Sequence, residues 1–370
     1  MIKSLYIHIP FCHQICTYCD FAKLHANEDM MEKYLDALIQ ELSFYQHQFN
    51  ELRTIHLGGG TPSSLPLHLL EKLLLKLSDS IDLSQIDEFG VEANPNDISE
   101  SFVSLLNKYH VNRISLGVES SFDYHLIAMN RSHNVNQVID AVKLLKKGNV
   151  DNINLDFIYA WPNQTFDELK KDIEFAVSLK PTHLSFYALI LEQKTKLYHD
   201  YINNHLNLID EETDALMYEY ILDELPKHGF EQYEISNFSI PGYPSKHNLS
   251  YWQIDEYLGI GMGAHSQVKE RRYHNHSTIK KYIDSVITSG NGMDSEDPCD
   301  LMQETFLMGL RLNKGVNINR FKEKFNNNPF EKYPKLLKNI NEKLIVIDDG
   351  YIKLTRKGQL LLNYVEQSFI

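Results

Sequence analysis

Several classes of protein are excluded by what this sequence does not have. No run of apolar residues approaches the ~18 needed to cross a bilayer, so a membrane span is ruled out. Basic charge is in deficit: 36 Lys and Arg stand against 50 Asp and Glu, a net charge of -14. That balance repels polyphosphate backbones and argues against general nucleic-acid binding. Cysteine is scarce, with four in the chain and no second Cys-x2-Cys pair, so a disulfide framework is not on offer. The first residues, Met1 to Pro10, carry no charged n-region and no small-residue cleavage site, and a cytoplasmic protein is expected. There is no low-complexity segment. What remains is a chain of 370 residues, 43% apolar and 23% charged, long enough for two or three globular domains.

Short β-rich segments recur along the first half: Leu5 to Ile9, Thr54 to Leu57, Glu88 to Glu92, Arg113 to Val118, Asn152 to Tyr159, and His183 to Ile190. Segments of helical period lie between them, such as Met30 to Phe49, Pro66 to Leu77 and Phe166 to Leu179, where apolar residues fall three and four apart. This alternation predicts an α/β fold of parallel βα units. Six units would make an incomplete (β/α)6 version of the eight-unit TIM barrel, open on one side, although a doubly wound sheet fits the same pattern. The barrel core is expected over 1–190. Over 191–298 the alternation fails, and this stretch is expected to be an elaboration packed against the barrel. The remainder, 299–370, reads as a small, mostly helical domain. Its helices are expected over Asp300 to Leu312, Asn317 to Phe325 and Glu331 to Asn341. Asp349-Gly350 between two apolar runs there is a tight-hairpin signal, giving the domain a wing.

Chemistry is concentrated at one place. Cys12-x3-Cys16-x2-Cys19 begins three residues after the first strand, which puts three thiols at a strand's C-terminal end, where barrel enzymes build their sites. Three soft ligands suit an iron-sulfur cluster or zinc. Zinc would want a fourth ligand, which His8 or His13 could give. A cluster held by three cysteines would leave one iron open to a small molecule. Cys299 stands alone and reads as a buried small hydrophobe.

The spacing of these cysteines, with Tyr18 just before the last, resembles the signature of radical S-adenosylmethionine enzymes. The likeness narrows with Tyr6-Ile7-His8-Ile9-Pro10-Phe11-Cys12, Cys19-Asp20-Phe21, Gly58-Gly59-Gly60-Thr61-Pro62, His247-Asn248-x2-Tyr251-Trp252 and Gly259-Ile260-Gly261-Met262-Gly263-Ala264-His265-Ser266. Together they resemble the oxygen-independent coproporphyrinogen III oxidase family, and within it the heme chaperone branch. The resemblance runs through the C-terminal domain at Leu354 to Gly358. It implies a [4Fe-4S] cluster on Cys12, Cys16 and Cys19, whose open iron is chelated by S-adenosylmethionine, and heme as a further ligand. It also implies an acceptor protein for heme and an electron donor for the cluster.

The remaining positions follow from residues and resemblance together. The glycine run leaves backbone N–H groups free to meet a polar ligand, and in the family it receives the amino-acid part of S-adenosylmethionine, so Gly59, Gly60 and Thr61 are carried over, with Tyr6 and Tyr18 beside the cysteines. Glu92, Glu119 and Asp156 stand on successive strands facing one mouth, and carboxylates there call for a hydroxyl, ammonium or sulfonium partner. The family has glutamine where this chain has Glu119, which changes a donor-acceptor into an acceptor. Arg131 matches a family arginine near the cofactor. Ala160 and Trp161 replace a family glycine and leucine and are expected to narrow the pocket. His247, among Asn248, Tyr251 and Trp252, and His265 are the expected heme contacts. The alternative activity is oxidative decarboxylation of coproporphyrinogen III, but Phe21 stands where the decarboxylating branch has a further cysteine. A zinc-dependent module with a winged DNA-binding domain is disfavoured by the acidic charge.

Overall fold

The computed structural model describes residues 2–370; Met1, the first residue of the expected N-terminal strand, lies outside the described residues. The six expected strands form as β1 (Ser4–Ile9), β2 (Thr54–Gly59), β3 (Glu88–Ala93), β4 (Arg113–Glu119), β5 (Asn152–Tyr159) and β6 (His183–Ala188), paired parallel in sequence order. Helices intervene at Glu28–Tyr45, Leu67–Ser80, Glu100–Lys108, Val135–Lys147 and Phe166–Ser178. Side chains alternate along each strand. Leu5, Ile7, Ile9, Ile55, Leu57, Phe89 and Val91 are fully buried and share one core with Leu35, Leu38 and Leu42 of the first helix. The opposite set is polar: Tyr6, His8, His56, Glu92, Asn154 and Asp156. A barrel interior is usually filled with branched apolar side chains, so this polar lining already marks the concave face as a site.

The sheet does not close. Its order is β12-β11-β10-β9-β1-β2-β3-β4-β5-β6-β8-β7, where β7 (Glu231–Glu234) and β8 (Asn237–Ser239) extend one edge and β9 (Tyr257–Ile260), β10 (His265–Val268), β11 (Arg271–Asn275) and β12 (Met293–Asp297) the other. Residues 191–298 therefore lengthen the sheet itself. β9 is a seventh parallel strand, paired with β1, and periodicity missed it because its four residues contain a glycine. A side chain at Gly259 would bring its Cβ to 2.1 Å from the His265 carbonyl oxygen. The β10-β11-β12 meander is fastened to the first helix by Glu41. This fully buried carboxylate accepts from Gly261 N (2.8 Å), Gly292 N (2.8 Å), Asn275 Nδ2 (2.9 Å) and Tyr282 Oη (2.7 Å).

A second core gathers Phe306, Leu310, Phe321, Tyr333, Leu336, Ile352, Val365 and Phe369. Its wing is three-stranded: β13 (Val316–Asn317), β15 (Tyr351–Leu354) and β14 (Ile345–Asp348), in that order, with the Asp349-Gly350 turn at φ 48° and 77° as a tight hairpin requires. The helix expected over Glu331 to Asn341 is instead two short ones, Pro329–Lys332 and Lys335–Asn341. Pro334 disfavours helical backbone at Tyr333, which sits at φ -125°, ψ 74°.

Candidate functional site

Cys12, Cys16 and Cys19 lie in the loop after β1, all half-buried and unpaired. The loop is pinned by Cys12 N to Leu24 O (3.2 Å), Thr17 N to Met129 O (3.0 Å) and Leu197 N to Thr17 O (2.9 Å). Thr61 Oγ1 stands 3.6 Å from Cys12 Sγ, and Arg131 Nη1 donates to Cys16 Sγ at 3.3 Å. Burial pushes the Cys12 thiol up to about 11 and raises Cys19 as well.

The grouping of the sulfurs bears on the two metal readings. Three thiolates on one zinc at ~2.3 Å would stand ~3.8 Å apart. Among the described residues one group of three ligating atoms lies within 4.8 Å of one another, and it does not include the cysteines. His8 also cannot complete a zinc site, because its Nε2 meets Ala22 O at 2.7 Å and its Nδ1 meets Tyr6 Oη at 2.9 Å. Three thiols not gathered onto a single ion are compatible with a multi-iron cluster held by one cysteine per iron.

Around this loop the strand ends supply the expected polar groups. Glu92 Oε1 is 3.0 Å from His56 Nε2 and its Oε2 accepts from Gly59 N at 3.1 Å, yet 42% of the side chain is exposed toward the mouth. Desolvation would raise its pKa, but His56 and Gly59 hold it below the ordinary value. Tyr6 stacks on His56 with centroids 6.3 Å apart. Gly59 has φ 112°, and a Cβ there would sit 2.4 Å from the His8 ring, while one at Gly60 would sit 2.7 Å from the Pro10 carbonyl carbon. The glycine run is thus a close backbone crossing, with no room for a side chain.

Arg131 is largely enclosed, with 10% of its side chain exposed. It donates to Asn94 Oδ1 and Gly117 O, both at 2.7 Å, and lies 3.4 Å from Glu119 Oε1. Glu119 ends β4 at φ 67°; burial pushes its carboxyl up to about 7 against the pull of Arg131. Asp156 accepts from Asn154 Nδ2 at 2.8 Å and is likewise raised by burial. Tyr18 packs edge-on to Trp161 at 5.9 Å. Trp161 belongs to a small apolar cluster with Met129, Ile158 and Leu197, so it backs the cysteine loop. Ala160 adopts φ 57°, the left-handed region that favours the glycine it replaces.

The two histidines expected to meet heme occupy very different places. His247 is fully buried, with Nδ1 2.8 Å from Thr54 Oγ1, Nε2 2.7 Å from Tyr251 Oη, and its ring stacked on His56 at 5.1 Å. Both nitrogens have hydroxyl partners in this arrangement, so a heme contact at His247 would need Thr54 or Tyr251 to give one of them up. The short helix Lys246–Trp252 instead floors the barrel. Its first N–H groups are capped by Glu88 at the start of β3, which accepts from Lys246 N (2.9 Å), His247 N (3.0 Å) and Ser245 Oγ (3.2 Å). Tyr251 packs on Tyr257, and Trp252 lies under Arg311. His265 is 59% exposed at the start of β10. Cys299 is half-buried, with the amide of buried Gln267 3.8 Å from its sulfur, so it is not the fully buried hydrophobe expected.

Pattern reading missed His56, Asn94, Asn154 and Glu88. His56 and Asn154 are polar residues at strand positions with apolar neighbours, which was the available signal, whereas Glu88 starts β3 and Asn94 follows its end. It also missed Asp172, buried in the helix Phe166–Ser178, which accepts from Ser121 N (2.6 Å), Ser121 Oγ (2.7 Å) and Gln164 Nε2 (3.0 Å) and so holds the turn after Glu119.

An open α/β barrel with three thiols over a polar strand-end mouth defines the radical S-adenosylmethionine class, and residues 6–176 match the Radical SAM superfamily. Residues 297–361 match the HemN C-terminal domain. The chain is 40% identical over 371 residues to the heme chaperone HemW of Lactococcus lactis subsp. lactis, covering 100% of this chain and 97% of that protein. It is 37% identical to that of Bacillus subtilis, covering 100% and 99%. The chain belongs to the HemW family. Coproporphyrinogen III oxidase (HemN) from Escherichia coli shares the fold, with a TM-score of 0.85 over 100% of this chain and 90% of that one, at 21% identity.

Proposed function

We propose that this protein is a heme chaperone that carries a [4Fe-4S] cluster on Cys12, Cys16 and Cys19, binds S-adenosylmethionine at the strand ends, and passes heme to an acceptor protein. The observation that supports it is full-length likeness to a protein named heme chaperone, at 40% identity. The cofactor part also rests on the mouth itself. Gly59, Gly60 and Thr61 line the backbone crossing beside Cys12, and Glu92 offers a half-exposed carboxylate with its other contacts already made. Tyr6, Tyr18, Glu119, Arg131 and Asp156 complete the polar wall. When bound, the cluster supplies an open iron and an electron to S-adenosylmethionine. That requires an electron donor, a second partner beside the heme acceptor. No nucleic-acid partner is proposed. No described helix is long and apolar enough to cross a membrane, and the proposed setting is the cytoplasm.

The second reading is coproporphyrinogen III decarboxylation, favoured by the shared fold alone. Decarboxylating two propionates demands that each β-hydrogen be positioned for abstraction, and Phe21, 67% exposed, stands where the decarboxylating branch has a cysteine. The deciding experiment is anaerobic reconstitution with iron and sulfide, then heme titration and a coproporphyrinogen assay side by side. Stoichiometric heme binding without protoporphyrinogen supports the chaperone. Turnover of coproporphyrinogen III with S-adenosylmethionine and a reductant would overturn it.

A further inference from the structure

The edge meander carries a cluster that the radical SAM chemistry does not use. His265 on β10 lies directly across from His274 on β11, with ring centroids 5.2 Å apart. Asp297, on the next strand, places both carboxylate oxygens 3.0 Å from His274 Nδ1, and its Oδ2 is 3.6 Å from His265 Nδ1. The ligating atoms of these three residues all lie within 4.8 Å of one another, the one such group among the described residues. We propose that His265, His274 and Asp297 form a binding site for a bare divalent transition-metal ion, separate from the cysteine cluster.

The donor set selects the ion class. Two imidazoles and one carboxylate converging from one side are the facial set that suits iron(II), zinc and their neighbours, leaving the outer positions to water; magnesium and calcium prefer oxygen alone. Heme fits poorly, because its iron offers axial positions on opposite faces of the ring, and these donors approach from a single face. A surrounding layer is present. Asp294 reaches His276 Nδ1 at 2.9 Å and His274 Nε2 at 3.9 Å, and Ser295 Oγ is 3.4 Å from His274 Nε2. Such partners orient ligating histidines and add negative charge. Arg272, whose charge reaches His265, is already engaged by Glu304 at 2.9 and 3.2 Å and by Gln267 at 3.0 Å. The backbone is stiff as well, since the three residues sit on hydrogen-bonded strands tied down through Glu41. His265, the most exposed of the three, is the donor free to swing onto an arriving ion.

The test uses the cluster-loaded full chain, washed with chelator and dialysed anaerobically against Zn2+, with zinc and iron counted together and Co2+ absorption as a second probe. One zinc per chain beyond the cluster iron is expected. His265→Ala, at an exposed position, leaves the fold intact and is expected to weaken zinc binding ~10- to 100-fold, with iron content unchanged. Asp297→Asn should do the same, and Cys299→Ser should change nothing. The proposal is overturned if no zinc is held above the cluster iron, if His265→Ala and Asp297→Asn bind it as the parent does, or if Cys299→Ser removes it. Heme uptake lost in His265→Ala with zinc binding absent in the parent would also overturn it, in favour of a heme ligand.

Discussion

Removing the Glu88 carboxylate tests whether the His247 segment is a floor or a ligand platform. Glu88 is 3% exposed and is the acceptor for Lys246 N, His247 N and Ser245 Oγ. In Glu88→Ala, three donors lose their acceptor, and an unsatisfied buried donor costs ~1–3 kcal/mol. Water entering the vacated volume would recover part of that, so the expected net loss is ~3–5 kcal/mol. That is a large share of the ~5–15 kcal/mol available to a typical protein. Glu88→Gln keeps one acceptor oxygen in place and should lose only ~1–2 kcal/mol. Hydrogen exchange of the amides over 245–252 and denaturant unfolding read both changes, and heme titration on the same samples reads the consequence. Glu88 bonds the buried start of the floor helix, so any fall in heme affinity in Glu88→Ala shows that the segment acts through its folded shape. Unchanged amide protection at 246 and 247, or a stability loss under ~1 kcal/mol in Glu88→Ala, would refute the floor reading.

Three further outcomes are expected. Gly59→Ala must accept φ 112° and displace the His8 ring, breaking the His8 bonds to Tyr6 and Ala22; a loss of ~2–4 kcal/mol by denaturant unfolding is expected, with S-adenosylmethionine binding abolished. Asp156→Ala should weaken S-adenosylmethionine by ~1–3 kcal/mol in calorimetric titration of the cluster-loaded protein, and equal affinity would remove Asp156 from the site. Asp172, pushed up to about 6 by burial despite its donors, has a folded pKa above the ~3.9 of an unfolded aspartate. Its contribution therefore favours the folded state below ~4 and is lost as pH rises through 6, by ~2–3 kcal/mol in all. Asp172→Asn should flatten the stability profile in that window, and parallel profiles for the two proteins would contradict the assignment.

The strands β1 to β6 were legible because each alternates apolar and polar residues locally, and the C-terminal hairpin because Asp349-Gly350 is a local turn code. The cysteine loop was legible for the same reason: its ligands lie within eight residues of one another. Local pattern also put Glu92 and Glu119 at strand ends and Asp156 within the fifth strand. It could not reveal that β9 would join β1 as a parallel neighbour, since pairing between residues some 250 positions apart depends on strand register and leaves no periodic trace. Resemblance placed Arg131 near the cofactor, but only the fold shows that Asn94, Gly117, Glu119 and Cys16 enclose it. The same motif residues also changed meaning with placement. His247 in a cluster of aromatic and amide neighbours reads as a ligand, yet Thr54 and Tyr251 claim both its nitrogens; His265, His274 and Asp297 look unrelated until three adjacent strands bring them together. The sequence by itself determined which segments become strands, which cysteines lie together and which face of the sheet is polar, because those follow from spacing within a few residues. Only the tertiary structure decided which histidine is sealed and which is open, because burial and free lone pairs are set by neighbours that the chain brings in from far away.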